Sequence, residues 1–158
     1  MLESFASSNP AWANSLSCGD LVRCRFPDPL DCRRRQVRLC AVSDADRQHG
    51  AVFVELVPAI PEGQRAPEAG DILLDPTALI PGVCAGPAPL WLRPDIAERL
   101  DAAHPGLLPD PFDGSPVVGR LSGDALVALE HVAARHRALR EARIADRCAR
   151  RARRRQAR

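Results

Sequence analysis

The chemistry open to this chain is concentrated in its guanidinium groups. Arg23, Arg25, Arg33, Arg34, Arg35 and Arg38 all lie in one short stretch near the N-terminus. Arginine carries a planar fork that grips a phosphate or a carboxylate through two hydrogen bonds at once, which the lysine ammonium does not do. The chain has no Lys, so every fixed positive charge is Arg; a coding bias produces the same pattern. Cys32-Arg33-Arg34-Arg35-Gln36 reads as a basic, exposed loop. Arg38 stands just beyond it inside the apolar run Val37 to Val42. What that loop and Arg38 face decides what the chain can bind.

Other chemistries have less support. The six Cys fall at 18, 24, 32, 40, 84 and 148, with no C-x-x-C pair. No His lies at ligand spacing from them, which argues against a zinc site. His49 sits in a polar turn and His104 precedes Pro105. His131 and His136 are five apart on a helix and do not share a face. Asp71, Asp110 and Asp113 read as loop acids. No phosphate-cradling Gly loop, paired-carboxylate motif or Ser-His-Asp pattern occurs. Neither a metal nor another cofactor is expected.

The elements that position the arginines are mostly strands. Leu21, Val22, Cys24 and Phe26 follow a Gly19-Asp20 turn, and Pro27 and Pro29 end that strand because neither donates to a sheet ladder. Val37 to Val42 forms the second strand. Asp44 to Gly50 reads as a polar turn, Ala51 to Val57 as the third strand, and the three as an antiparallel meander. Pro58 to Ala69 reads as a loop. Gly70-Asp71-Ile72-Leu73-Leu74 repeats the Gly-Asp-apolar start and makes another strand, ending near Pro76. Thr77 to Gly86 fits no element. Pro87 to Leu92 makes a short strand with Trp91. Pro94 and Asp95 open a short helix through Ala103, stopped by His104-Pro105-Gly106. After Pro116 to Leu121, Ser122 caps a long helix. Leu126, Leu129, Val132 and Leu139 give it one packed face. From Arg140 onward arginines cover every side, so that part is expected to be exposed, and 153–158 disordered unless bound.

Composition bounds the class. A chain of 158 residues is one domain with a tail, and 46% apolar residues suffice for a core built mainly from Leu, Val, Ala and Ile. Fifteen Pro favour a loop-rich β architecture over a bundle. The net charge of +2 hides a split. Residues 135–158 hold 11 Arg against two acids, a net of +9, whereas residues 1–134 hold 11 Arg against 18 acids, a net of −7. A basic end of this kind suits nucleic acid or another acidic partner. Met1 to Leu16 has no signal-peptide pattern, and no run approaches the ~20 apolar residues of a membrane span. A cytoplasmic location with reduced thiols is expected.

Gly19-Asp20-Leu21-Val22, Phe26-Pro27-Asp28, the basic loop and Val37-Arg38-Leu39-Cys40-Ala41-Val42 resemble the start of the MazF/PemK toxins. In that family a Gly-Asp-Ile-Val strand leads through Phe-Pro and a basic loop to an Arg-Pro-Ala-Leu-Val strand. Gly70 to Leu74 is similar to a later barrel strand. Pro116-Val117-Val118-Gly119-Arg120-Leu121-Ser122 resembles the Gly-Arg-Leu-Ser entry to the C-terminal helix of the PemK-like branch. The resemblance covers roughly 19–135. It implies a mainly β fold, a small SH3-like barrel with a C-terminal helix. It also implies metal-independent cleavage of single-stranded RNA by 2′-OH attack, restraint by an antitoxin protein and, often, a homodimer. Arg38 matches the family's catalytic Arg, although Leu39 follows where the family has Pro. Arg25, Arg33, Arg34 and Arg35 would hold phosphates. The family's Thr or Ser position falls in Val57-Pro58-Ala59, which carries no hydroxyl. The other reading is a barrel that binds RNA or a protein through the basic loop and the Arg-rich tail without cutting. In either, 1–17 is an irregular lead, 18–139 the barrel with its packed helix, and 140–158 the basic extension.

Overall fold

β3 (Ala51–Pro61) is the strand on which the sheet is built, and Val54 to Ile60 are buried without a break. A strand covered on both faces shows no polar alternation, which is why this run is the most apolar in the chain. The computed structural model describes residues 10–27, 33–48, 50–74 and 89–156. Outside these lie the Asp28 to Cys32 part of the basic loop, His49, the Thr77 to Gly86 stretch with Cys84, and residues 1–9 and 157–158.

β1 (Asp20–Pro27), β2 (Arg35–Gln48) and β3 form the expected antiparallel meander. β4 (Ile72–Leu74), β5 (Leu90–Leu92), β6 (Glu98–Asp101) and β7 (Val117–Arg120) complete the sheet. Its order is β4-β5-β3-β2-β1-β7, with β6 also on β3. The result is mainly β, a curled antiparallel half-barrel, with one long helix, α1 (Gly123–Gln156). Beyond β6 the chain reaches the free edge of β1, where Arg25 N–H donates to Gly106 O at 2.8 Å and Leu108 N–H to Arg23 O at 3.0 Å.

Three expectations are corrected. β2 runs on through the predicted turn to Gln48, and β3 through Pro58 to Pro61. Pro58 lies between two partners on one edge of β3, since Leu56 pairs with Glu98 and Ala59 with Leu92; prolines are tolerated at such breaks. The predicted helix from Pro94 to Ala103 is only a 3-10 turn, Pro94–Ile96, followed by β6. A helix that short is marginal alone, while the open edge of β3 takes up Glu98 to Asp101 and buries Leu100. Finally, α1 continues to Gln156, where 153–158 was expected to be disordered. After Gly123 no Gly or Pro interrupts its Ala, Leu and Arg, all strong helix formers.

Alternate residues feed two cores. Val22, Cys24, Phe26, Cys40, Val42, Val54, Leu56 and Leu100 pack inside the curl, capped by Ala13 and Leu16 from a 3-10 turn at Ala11–Ser15. Trp12 packs there as well. Leu21, Ala41, Val57, Ile72, Leu74, Leu92, Val118 and Leu121 pack on the other face beneath Leu129 of α1.

The two Gly-Asp starts build the same turn. Gly19 and Gly70 have φ of 92° and 99°, a conformation that glycine adopts without the clash of a Cβ. Asp20 Oδ2 accepts Ser17 N–H at 2.8 Å, and Asp71 Oδ2 accepts Glu68 N–H at 2.6 Å. Each Asp also holds an arginine from a later strand or turn: Asp20 pairs with Arg120 at 3.0 Å and Asp71 with Arg93 at 2.8 Å. Arg93 is fully buried and donates further to Arg65 O and Ala66 O.

A bulge at Ser43 changes which way β2 faces. Val42 pairs with Leu56, but Asp44 pairs with Glu55. The extra residue re-aims the strand and sets Asp44 beside Glu55 under α1. His136, Arg137 and Arg140 of the helix reach this acidic pair. The packed stripe of α1 is therefore Leu126, Leu129, Ala133, His136 and Arg140, spaced three and four apart. Leu139, assigned to that face from sequence, is 52% exposed. Arg140, assigned to the exposed extension, is instead the last residue to touch the sheet among those with described partners.

Candidate nucleic-acid interface

The β1–β2 hairpin divides the arginines between two faces. Cys24 pairs with Arg38, Arg25 with Val37 and Pro27 with Arg35. Strand alternation then sends Arg38 inward with Cys24, Gln36 and Cys40, and Arg25 outward with Val37. Arg25, Arg33, Arg34 and Arg35 are exposed at the hairpin end. Arg35, first in β2, curls over the strand end: it donates to Arg25 O at 3.3 Å and stands 4.0 Å from Glu98 Oε1.

Arg38 does not look onto an open concave face. It is 6% exposed. One terminal nitrogen donates to Gln64 Oε1 at 3.1 Å and the other to Gln36 Oε1 at 3.2 Å. Both glutamines are exposed, so they lie over the guanidinium as a polar cover. Gln64 comes from the turn after β3, held by Gln64 N–H to Pro61 O at 2.9 Å. A ligand anion meets those amides first. An amide oxygen accepts from a guanidinium less strongly than a charged phosphate does.

Glu98 shares this end of the curl. It pairs in register with Leu56, so its side chain is on the inner face with Arg38. Its Oε2 is buried and has no hydrogen-bond partner among the described residues, while the side chain as a whole is 36% exposed. Two thiols, Cys24 and Cys40, share this inner face. Burial pushes Cys24 up to about 11, helped by the Glu98 carboxylate and opposed by Arg35. Burial likewise drives Cys40 well above the ordinary thiol range; Cys24 and Glu98 add to the rise, and Arg38 opposes it. Both thiols are free and protonated at neutral pH, and neither is a nucleophile there.

The arrangement offers a cation, a carboxylate and polar amides at one barrel end. Among the described residues no group of His, Cys, Asp and Glu could hold a metal ion. Val57-Pro58-Ala59, where the resemblance calls for a hydroxyl, carries none: Pro58 is buried opposite Cys40, and its carbonyl accepts Arg93 N–H at 2.9 Å.

The remaining candidates have local roles. His104 Nδ1 accepts Gly106 N–H at 2.9 Å and closes the turn before Leu107. Asp110 and Asp113 accept the N–H two residues ahead, of Phe112 and Ser115. Asp71 is the counter-ion of Arg93. His131 is exposed. His136, by contrast, stands 2.7 Å from Glu55 Oε1. Gln36, Gln64 and Glu98 escape sequence reading. Gln64 falls in a stretch read as loop, and Glu98 in one read as helix, where its side would have been undefined. The clue available for Glu98 was its alternation with Leu100, an acid beside a buried position in a strand-length segment.

Among the described residues no helix is long and apolar enough to cross a membrane. No protein-family model and no curated protein matches the chain.

Proposed function

We propose that this chain is an SH3-like barrel of MazF/PemK type that binds single-stranded RNA at the β1–β2 end and cleaves it without a metal. The observation that carries this is the placing of Arg38: a buried guanidinium on the inner face, under the Gln36 and Gln64 amides, with the exposed Arg25, Arg33, Arg34 and Arg35 at the same end of the hairpin. The outer arginines hold backbone phosphates. Arg38 stabilises the charge that builds on the phosphoryl oxygens as the ribose 2′-OH attacks. An antitoxin protein and a second copy of the chain are the protein partners that go with this function, in a cytoplasmic setting.

A second reading has its own support. The hydroxyl position is bare, and every described side chain of residues 141–154 of α1 is exposed. A barrel that binds RNA through the hairpin and this extension, without cutting, fits those two facts.

Incubation of the pure protein with mixed single-stranded RNA in EDTA separates the two. Cleavage to fragments with 2′,3′-cyclic phosphate ends, lost in Arg38→Ala, supports the nuclease. Intact RNA that shifts in a gel with a steep salt dependence supports the binder. RNA neither cut nor shifted overturns both.

A further inference from the structure

We propose that Glu98 is the general base of the RNA cleavage, in the place where the family's hydroxyl is missing. This inference rests on the nuclease reading above and adds the proton acceptor that reading lacks. Three observations point to Glu98. It stands on the inner face with Arg38, fixed there by the Leu56↔Glu98 pairing of β3 and β6. One carboxylate oxygen, Oε1, is 4.0 Å from Arg35. The other, Oε2, is buried and accepts no hydrogen bond from any described residue, although a buried carboxylate oxygen ordinarily has a donor. An acceptor held unsatisfied beside Arg35 is suited to take a donor from a ligand.

Register agrees. Arg38 pairs with Cys24 and Glu98 with Leu56, so cation and carboxylate belong to the same inner face. The chemistry then balances. Glu98 takes the proton of the ribose 2′-OH, and O2′ forms a bond to the adjacent phosphorus. The P–O5′ bond breaks with its electron pair going to O5′, which takes a proton from water. The products are a 2′,3′-cyclic phosphate and a 5′-hydroxyl, and Glu98 returns its proton to solvent. Arg38 neutralises the phosphoryl oxygens throughout. Arg35, 4.0 Å from Oε1, stands beside the carboxylate at the strand end.

The test compares the full-length wild-type protein with Glu98→Gln, which keeps shape and removes the base. Cleavage of a labelled single-stranded RNA is followed as a function of pH, and RNA affinity is measured by filter binding. The expected result is a loss of cleavage of about 100-fold or more, the usual worth of a general base. Affinity should stay equal or rise slightly as a negative charge goes. The wild-type rate should fall on the acid side, and this limb should vanish from the residual activity of the variant. Glu98→Ala with added formate gives a second measurement, because a small carboxylate entering the vacated space should restore part of the rate. Circular dichroism establishes that each variant is folded. Cleavage by Glu98→Gln at the wild-type rate overturns the role of Glu98 and leaves the nuclease standing. Variants that lose cleavage but show no formate rescue and an unchanged acid limb place Glu98 in a structural role, which also overturns the proposal. A wild-type protein that binds RNA and never cuts it overturns the nuclease and Glu98 together.

Discussion

His136 Nδ1 of α1 stands 2.7 Å from Oε1 of Glu55 on β3, across the join between helix and sheet. Ser43 Oγ donates to the same oxygen at 3.2 Å, and Arg140 takes the other oxygen of Glu55. Arg140 also donates to Asp44 at 2.6 Å. Two acids set side by side by the bulge are thus neutralised from the helix. The helix in turn is fixed to the sheet at a point well beyond its last buried apolar residue, Ala133.

This places the end of the folded body at Arg140. Truncation after Arg140, removing 141–158, should leave the thermal midpoint within a degree or two, because the described side chains it removes are exposed. Arg140→Ala in the full chain should cost about 1–3 kcal/mol by leaving Glu55 and Asp44 short of a donor. Thermal melts of the two proteins side by side check both. Equal midpoints for the wild type and Arg140→Ala would show that Arg137 and His136 suffice.

The stripe on α1 gives a paired prediction. Leu129→Ala should destabilise by about 2–5 kcal/mol, since Leu129 is fully buried in the outer core. Leu139→Ala should stay within about 0.5 kcal/mol, as surface changes do. Urea titration distinguishes them, and similar losses for both would mean the stripe is drawn wrongly.

Arg93 and Asp71 predict a large effect from a polar change. Their side chains are 0% and 4% exposed, and the pair ties the 65–71 turn to the end of β5. Arg93→Ala leaves the Asp71 carboxylate buried without its cation, at a cost of about 3–5 kcal/mol. Asp71→Asn strands the buried Arg93 cation in turn and should cost a similar amount, about 3–5 kcal/mol, although Arg93 keeps its two carbonyl acceptors. Chemical denaturation of both variants tests that equality.

Alkaline pH should weaken the fold through Cys24. Burial raises its folded value from 9.0 to about 11, so between these limits the folded state holds a proton that the unfolded state has lost. The sign follows from linkage: stability is complete below about pH 9 and falls as pH rises toward about 11. Cys40 shifts in the same direction and adds to the fall. Cys24→Ala should flatten part of this slope, measured by urea midpoints from pH 8 to 11. An unchanged slope would assign it to other groups.

Much of the half-barrel could be read directly from residue order. β1, the β2 core and the apolar run of β3 carry patterns that only strands satisfy, and the Gly-Asp pairs mark turns whose positive φ demands glycine. Those signals are local, and local sequence holds them. Arg38 was visible for the same reason: a charged residue inside an apolar run must find partners in any fold. What surrounds Arg38 was not visible, because Gln64 and Glu98 arrive from segments distant in sequence, and their side is set by pairing register. β6 shows this most plainly. Pro94-Asp95 is a fair helix start, yet the unfilled edge of β3 overrides it, and only then does Glu98 face inward. The bulge at Ser43 works the same way, since one extra residue turns Asp44 from the inner face to the helix. The sequence alone therefore determined the strands, the turns and the store of guanidinium charge, because these depend on neighbours along the chain. Tertiary structure decided which charges meet and where α1 stops being part of the body, because both depend on contacts between segments that no local pattern encodes.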